Sequence, residues 1–94
     1  MFPVPDISNG YNFKLPPEED YADYRKNWHN DYKGCVVAEE WFYHGLKQDR
    51  LKPRENIDKN KALNAVAHCL SNWAFSHEDK IALCGYLIDQ WFTY

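Results

Sequence analysis

Carboxylates occur side by side at three places in the sequence, and such groups can act as general acids or bases. They lie at residues 18–20, 39–40 and 78–79. A catalytic carboxylate needs a desolvated position beside a substrate pocket. All three groups instead occupy places where helices commonly carry acids, on the first turn or on the solvent face. The sequence therefore singles out no catalytic acid.

Thiols and imidazoles are the other side-chain groups that could take part in catalysis or bind a metal ion. Those closest in sequence are His68, Cys69, His77 and Cys84, with Cys35 further away. Structural zinc sites use ligand pairs roughly two to five residues apart whose side chains converge. Neighbours on a helix, such as His68 and Cys69, instead point about 100° apart. Ser76-His77 is typical of a helix cap, and no cysteine lies in a basic setting that would activate it. We expect no enzymatic activity, no metal and no cofactor.

The cysteines also indicate the redox conditions of the cellular compartment in which the protein occurs. Their number is odd, no Cys-x-x-Cys spacing occurs, and all three lie among apolar residues. This pattern predicts buried, reduced thiols and a reducing, cytoplasmic environment. No segment reaches the ~18 uninterrupted apolar residues of a membrane span, and the N-terminus lacks the pattern of a secretion signal. We expect an intracellular protein without membrane contact.

Composition indicates one folded domain spanning residues 1–94. The chain is 45% hydrophobic and 17% aromatic, which is far from the composition of disordered proteins. Its length suffices for a single hydrophobic core.

The formal net charge is −3, whereas nucleic-acid binding requires a basic surface that displaces counterions. A partner protein with a basic surface is the better electrostatic match.

The periodicity of apolar residues predicts a mostly α fold of about four helices. Prolines exclude a helix from most of residues 1–16, which we expect to form an irregular arm; a short β-hairpin around Asn9-Gly10 is the alternative. Residues 17–94 then form the helical core. Helices are expected at residues 17–30, 34–44, 58–75 and 77–93, with Asp58 as the N-cap of the third. The last two are separated by a tight turn, which predicts an antiparallel helical hairpin.

Helical spacing also predicts which side chains face the core. In the first helix these are Tyr21, Tyr24, Trp28 and Tyr32, and in the second Val37, Ala38, Trp41, Phe42 and Leu46. In the third they are Ala62, Leu63, Val66, Cys69, Leu70, Trp73 and Ala74, opposite a polar face that includes Ala65. In the fourth they are Ile81, Cys84, Leu87, Ile88, Trp91 and Phe92.

Two surfaces and a set of aromatic residues are candidates for binding a partner. The acidic flank of the first helix consists of Glu19, Asp20, Asp23 and Asp31. The polar face of the third helix includes Asn64, His68 and Asn72, whose short or nearly uncharged side chains lose little entropy on contact. Four Trp, seven Tyr and five Phe exceed what a small core readily encloses. The aromatic residues that periodicity leaves nearest the rim are Tyr11, Tyr24, Tyr32, Tyr43 and Tyr86.

These features favour a non-enzymatic protein that binds another protein through acidic and aromatic surface. An adaptor fits this description, as does an inhibitor of a nucleic-acid-processing enzyme of the kind that phages and mobile elements encode. The alternative is a regulator that binds nucleic acid through the basic segment 47–54, which we expect to be an exposed connection. Homodimerisation would account equally well for the polar face of the third helix and for the aromatic excess.

Overall fold

The computed structural model of the protein describes residues 16–44, 51–71 and 74–93. Helices dominate these ranges, which confirms the mostly α fold, and a two-stranded antiparallel sheet completes it. The predicted arm and its alternative hairpin lie outside the described residues except for Pro16. In chain order the elements are a 3-10 turn (Glu18–Tyr21), α1 (Ala22–Asn27), α2 (Lys33–His44), β1 (Lys52–Pro53), α3 (Lys59–Ser71), α4 (His77–Trp91) and β2 (Phe92–Thr93).

Helix α4 lies at the centre of the described structure and packs against α1, α2 and α3. All six residues of its predicted core stripe are buried. Ala82, Leu83 and Gly85, which the stripe did not include, are buried as well. A helix that is apolar around most of its circumference is stable only when neighbours surround it. The apolar sequence of α4 therefore explains its central position.

Helices α2 and α4 cross at two glycines, where no side chain fits between the backbones. A Cβ atom placed on Gly85 would lie 2.9 Å from both the Cα and the backbone nitrogen of Cys35. A Cβ atom on Gly34 would overlap the carbonyl oxygen of Gly85 and lie 2.8 Å from Oδ1 of Asp89. Small residues allow such close approach of two helices, as they do wherever backbones pack in contact.

This crossing corrects the predicted core face of α2. The buried residues of α2 are Gly34, Cys35 and Ala38; Ala38 belongs to the predicted core face and Cys35 was predicted as a buried thiol, whereas Gly34 was not predicted. Val37 and Trp41 are only partly buried against the core. Phe42 was expected in the core, but it remains 40% exposed. The reason is that close approach at Gly34 turns the small-residue side of α2 towards α4 and leaves its last turn at the margin of the core. Leu46 lies outside the described residues.

Helix α3 is largely as predicted. Ala62, Leu63, Val66, Cys69 and Leu70 are buried as expected. Ala74 was also expected in the core, but it is exposed, because residues 74 and 75 form the turn that leads to the Ser76 cap and the helix does not extend to residue 75; Trp73 lies outside the described residues. Ala65 was placed on the polar face, but it is fully buried, because the buried side of α3 is wider than a single stripe. Both predicted caps are present: Asp58 accepts a hydrogen bond from the backbone N–H of Lys61 at 3.0 Å, and Ser76 accepts one from Asp79 at 3.2 Å.

The end of the fourth helix differs from the prediction. Helix α4 stops at Trp91, and Phe92 has extended backbone angles (φ −128°, ψ 160°) that carry the chain into β2. Strand β2 pairs antiparallel with β1, with Pro53 opposite Phe92. The Arg54 guanidinium donates two hydrogen bonds to the carbonyl oxygen of Asp89, at 2.9 and 3.1 Å. Helix ends need such partners for their last carbonyls, and sequence periodicity does not reveal a partner that is distant along the chain.

The first predicted helix is shorter than expected and begins with a 3-10 turn. Regular α-helix ends at Asn27, and residues 28–31 form a turn in which Asp31 has a positive φ of 70°. The predicted aromatic stripe is only partly buried, since Tyr21 is enclosed and Tyr24, Trp28 and Tyr32 are half-buried. Asparagine, histidine and aspartate are weak helix formers, which explains the early end.

Candidate functional site

The described residues expose three large hydrophobic side chains, and all three belong to α2. They are Val36, Phe42 and Tyr43, which are 37%, 40% and 52% exposed. Single exposed apolar residues are ordinary on protein surfaces, whereas apolar residues gathered on one element indicate an interaction surface. Two of the three, Phe42 and Tyr43, lie side by side in the last turn of α2, which makes this turn a candidate interaction surface.

The rings of Phe42 and Tyr43 join two further rings in one cluster, which we name the aromatic patch (Trp28, Phe42, Tyr43 and His77). The His77 imidazole lies at its centre. Its centroid is 5.1 Å from the Tyr43 ring, 5.5 Å from Phe42 and 6.2 Å from Trp28. The Tyr43 hydroxyl also forms a hydrogen bond with Nε2 of His77. These contacts fix the positions of the four rings relative to one another.

Three separate elements position the aromatic patch. Phe42 and Tyr43 project from the last turn of α2, and Phe42 packs edge to face on Tyr43 at 5.1 Å. His77 is the first residue of α4, and the Ser76 cap fixes the start of that helix. Trp28 opens the turn that follows α1. The patch therefore exists only because the fold brings the ends of three helices together.

A charged group of the same chain contacts the aromatic patch. The ammonium group of Lys80 lies 5.9 Å from the centroid of the Phe42 ring, within the range of a cation–π contact. Glu39 and Glu40 precede Tyr43 by four and three residues on α2, and Glu78 is exposed and follows His77 directly.

The neighbouring ion pair joins α1 to α4. Arg25 donates from Nε to Oδ1 of Asp79 at 2.5 Å, and both side chains are about one-third exposed. The Arg25 guanidinium also lies 5.2 Å from the centroid of the Tyr21 ring. The Asp79 carboxylate is therefore engaged within the fold.

All four residues of the predicted acidic flank are exposed. Glu19 and Asp20 lie on the 3-10 turn and Asp23 on α1. Asp31 lies in the turn that begins at Trp28, where its backbone φ is 70°. The four carboxylates therefore belong to three successive elements.

The other predicted residues take different positions. Asn64 is exposed on α3 and His68 is half-buried there, whereas Asn72 lies outside the described residues. Tyr86 is half-buried, and its ring lies 5.7 Å from Tyr24 in an edge-to-face contact. Burial raises the pKa of Tyr86, and the nearby Asp20 carboxylate raises it further. Tyr86 and Asp20 are therefore close to each other in the fold.

The basic segment 47–54 is described only from residue 51 onward. Leu51 is buried, which corrects the expectation that this whole connection is exposed. Lys52 and Pro53 are exposed in β1. Arg54 is exposed as well, yet its guanidinium is used to bond the carbonyl oxygen of Asp89. Arg54, one of the basic residues on which the nucleic-acid alternative depends, is therefore already engaged in stabilising the end of α4.

A half-buried hydrogen bond joins α1 to α4 close to Gly34, where α2 and α4 cross. The Tyr24 hydroxyl donates to Oδ2 of Asp89 at 2.7 Å. The pKa of Tyr24 is raised, chiefly by burial and then by this hydrogen bond. Burial, followed by the charges of Asp89 and Glu39, raises the pKa of the Cys35 thiol to about 12. Burial and a hydrogen bond with Cys69 also raise the pKa of Cys84.

These shifts predict that the protein loses stability in alkaline solution. A thiol with a raised pKa keeps its proton in the folded state while the unfolded chain ionises first, so the free energy of unfolding falls once the pH exceeds about 9. Cys35 alone should lower it by about 1 kcal/mol between pH values of about 8 and 10. Urea unfolding at several pH values measures this dependence.

The matched control is Cys35→Ser, which keeps a small polar side chain but removes the titrating thiol. Its free energy of unfolding should fall less steeply with pH than that of the unchanged protein. The raised pKa of Cys35 would be contradicted if the free energy of unfolding of the unchanged protein stayed constant or rose over the same pH interval.

Within ranges 16–44, 51–71 and 74–93, no three His, Cys, Asp or Glu side chains are arranged to hold a metal ion. All three cysteines are free and buried, which confirms the prediction of buried thiols. Among these same residues, no helix combines the length and the apolar character needed to cross a membrane.

Sequence reasoning did not identify the aromatic patch. Trp28 and Phe42 were assigned to the core and His77 to a cap, and only Tyr43 was placed at the rim. The adjacent aromatic pair at positions 42 and 43 was a usable signal, because neighbouring positions on a helix cannot both face one core. Comparison with protein-family models, with curated proteins and with solved structures finds no match for the chain.

Proposed function

We propose that the protein is a non-enzymatic binding protein that recognises another protein through its aromatic patch. The observation that carries this proposal is the exposure of Phe42 and Tyr43 within a cluster of four contacting rings. Aromatic side chains are the residues that most often anchor protein interfaces. A role as an adaptor or as an inhibitor of another protein follows the same physical reasoning.

The order of the patch supports binding. Fixing a flexible side chain at an interface costs about 0.5–1.5 kcal/mol. Here Tyr43 is already held by its hydrogen bond with His77, and Phe42 by ring contacts on two sides. Much of the conformational entropy of these two side chains is therefore already lost when the protein folds. A partner gains the contact area of the rings with little further loss of entropy.

Charge supports a partner with a basic surface. The chain carries 14 acidic against 11 basic side chains, and Glu19, Asp20 and Asp23 are all exposed, on the 3-10 turn and on α1. Such a flank attracts a basic protein over distances comparable to the Debye length and accelerates its association. In this proposal the aromatic patch supplies affinity, and the acidic flank supplies long-range attraction.

Quantitative affinity capture with surface variants tests the proposal. The unchanged protein and the double variant Phe42→Ala/Tyr43→Ala are immobilised at equal density and exposed to an extract of the source organism. A partner should be retained by the unchanged protein and reduced at least about tenfold by the double variant, since each interface anchor contributes about 1–2 kcal/mol.

The matched control is Asn64→Ala, a substitution on the exposed side of α3. It should retain the partner fully, and thermal unfolding should show that all three proteins are folded. Equal retention of every partner by the unchanged protein and by the double variant would contradict a role for the aromatic patch. Loss of the partner with Asn64→Ala alone would instead favour the polar face of α3.

Neutralising the acidic flank should slow association without changing dissociation. For Asp20→Asn/Asp23→Asn, we expect an association rate constant about threefold to tenfold lower at low ionic strength, because long-range attraction acts before contact. The difference should shrink as salt is added. Surface plasmon resonance with the captured partner over a series of salt concentrations measures both rate constants. An unchanged association rate at low salt would remove the acidic flank from the mechanism.

A further inference from the structure

We infer that Cys69 and Cys84 are a redox-responsive pair, which forms a disulfide bond between α3 and α4 when the protein is exposed to a peroxide. Both thiols are buried, and neither belongs to the aromatic patch. The inference therefore goes beyond the proposed function and does not depend on it. It rests on the positions of the two sulfurs relative to each other and to the third thiol, Cys35.

The contact between α3 and α4 brings the two thiols together. The Cys84 thiol donates a hydrogen bond to the backbone carbonyl oxygen of Val66 on α3, with 3.6 Å between sulfur and oxygen. Cys69 follows Val66 by three residues, and a helical side chain points back onto the residue three or four positions before it. The Cys69 side chain therefore lies beside the same carbonyl group, and a hydrogen bond joins the two thiols.

Small residues allow the two helices to approach closely at this point. Ala62 and Ala65 precede Cys69 by seven and four residues, so they lie on the same side of α3, and both are fully buried. A disulfide needs its two sulfurs about 2.0 Å apart and its two Cα atoms within about 7 Å. Thiols already in contact reach the first distance by rotation of their side chains, and the alanines on this side of α3 favour the second.

The third thiol has different neighbours. Cys35 packs against Gly85 of α4, and its thiol is directed at the backbone carbonyl oxygen of Tyr24 on α1, at 3.9 Å. Gly85 and Cys84 are consecutive, so the two positions point about 100° apart around α4. Cys84 faces α3, whereas Cys35 lies on the side of α1 and α2. We therefore expect Cys35 to remain a thiol.

The oxidation proceeds in two steps and consumes one molecule of peroxide. The thiolate sulfur of one cysteine attacks an oxygen of the peroxide, the O–O bond breaks, the departing oxygen takes up the proton that the thiol released, and a sulfenic acid results. The second thiol then attacks this sulfur, so that the S–S bond forms, the S–O bond breaks and water leaves. The two sulfurs together lose two electrons, which the peroxide gains.

Burial makes the first step slow, and contact makes the second step efficient. The thiolate is the nucleophile, and burial, followed by the hydrogen bond with Cys69, raises the pKa of the Cys84 thiol, so little thiolate is present. Once a sulfenic acid has formed, its partner thiol is already in contact. The pair therefore condenses to the disulfide before a second peroxide molecule produces a sulfinic acid. Dithiothreitol should reverse the reaction.

Peptide mapping after oxidation of the folded protein tests the inference. The protein is treated with hydrogen peroxide, catalase ends the reaction, and the remaining thiols are alkylated with N-ethylmaleimide in urea. Mass spectrometry of a tryptic digest, without reduction, then identifies which peptides are linked. Trypsin cleaves after Lys33, Lys47, Lys61 and Lys80, so each cysteine lies in a peptide of its own, namely residues 34–47, 62–80 and 81–94.

We expect nearly all of the disulfide to join peptide 62–80 to peptide 81–94, with peptide 34–47 alkylated. The matched control is oxidation in urea, where the chain is unfolded and loop length alone determines the pairing. There the Cys69–Cys84 bond should account for roughly two thirds of single disulfides. The reason is that 15 residues separate this pair, against 34 and 49 for the other two pairs, and shorter loops close more readily.

Two variants and a thermal measurement accompany the map. Cys35→Ala should form the same disulfide at an unchanged rate, whereas Cys84→Ala should form none. The bond closes a loop of about 15 residues and constrains the unfolded chain, so the midpoint of thermal unfolding should rise by roughly 10 °C after oxidation. Dithiothreitol should return the midpoint to its original value.

The inference would be overturned if peptide 34–47 were linked in the main product of the folded protein, or if the Cys69–Cys84 bond were no more frequent there than in urea. Three unlinked thiols, or sulfinic acids in place of a disulfide, would overturn it as well. So would an unchanged or lower midpoint after oxidation, because the bond would then not fit the packing of α3 against α4. Capture of a partner by the aromatic patch is independent of all these outcomes.

Discussion

Replacing Gly85 with alanine is expected to destabilise the protein by about 3 kcal/mol, although alanine is the better helix former. In an uncrowded helix the change would stabilise by about 1 kcal/mol. Here the added Cβ atom would lie 2.9 Å from the Cα and from the backbone nitrogen of Cys35. Backbone atoms cannot rotate away as a side chain can, so α2 and α4 must move apart and core packing is lost.

Urea unfolding measures the change in the free energy of unfolding, and the sign of that change tests the close contact at Gly85. The control is Gly85→Ala combined with Cys35→Ala, which removes the thiol but leaves the two backbone contacts in place. This combination should recover little of the lost stability. A Gly85→Ala protein that is more stable than the unchanged one would show that α2 and α4 are not in close contact at this glycine.

Trp91→Ala should be the other large effect, lowering the free energy of unfolding by about 4 kcal/mol. Trp91 is fully buried in the last turn of α4. Its removal leaves a cavity that the surrounding residues can fill only in part, so both transfer free energy and packing are lost. Chemical denaturation measures the change, and an unchanged slope with denaturant would show that the two-state transition is preserved.

Trp28→Ala is the matched control, since it makes the same substitution in the half-buried aromatic patch. It should cost only about 1 kcal/mol, as is usual for partly exposed positions. It should nevertheless weaken partner binding, whereas Trp91→Ala should affect binding only through the unfolded fraction. Equal losses of stability in the two variants would contradict the assignment of Trp91 to the core and Trp28 to the surface.

Periodicity predicted the helices well because it reflects a property that each segment carries by itself. The core stripe of α4 and the caps at Asp58 and Ser76 agree with the structure. The orientation of α2 was predicted less well. An apolar stripe is recognised by large side chains, whereas the buried side of α2 begins with Gly34 and Cys35, and close approach of backbones has no signature in hydrophobicity.

Long-range pairing was the other feature that the sequence did not reveal. Strands of two residues carry no periodic pattern, and β1 pairs with β2 about forty residues further along the chain. The aromatic patch has the same origin, since Trp28, Tyr43 and His77 come from three elements. Composition indicated an excess of aromatic residues. Only the packing of α2 against α4 shows which of them stay at the surface.

The most direct test of the central claim is site-specific photocrosslinking in cells of the source organism. A photoreactive p-benzoyl-phenylalanine replaces Tyr43 in the aromatic patch, Asp23 on the acidic flank or Asn64 on α3, one position at a time. We expect a discrete adduct with one partner protein from position 43, a weaker adduct from position 23 and none from position 64. An adduct from position 64 in the absence of one from position 43 would contradict binding through the aromatic patch.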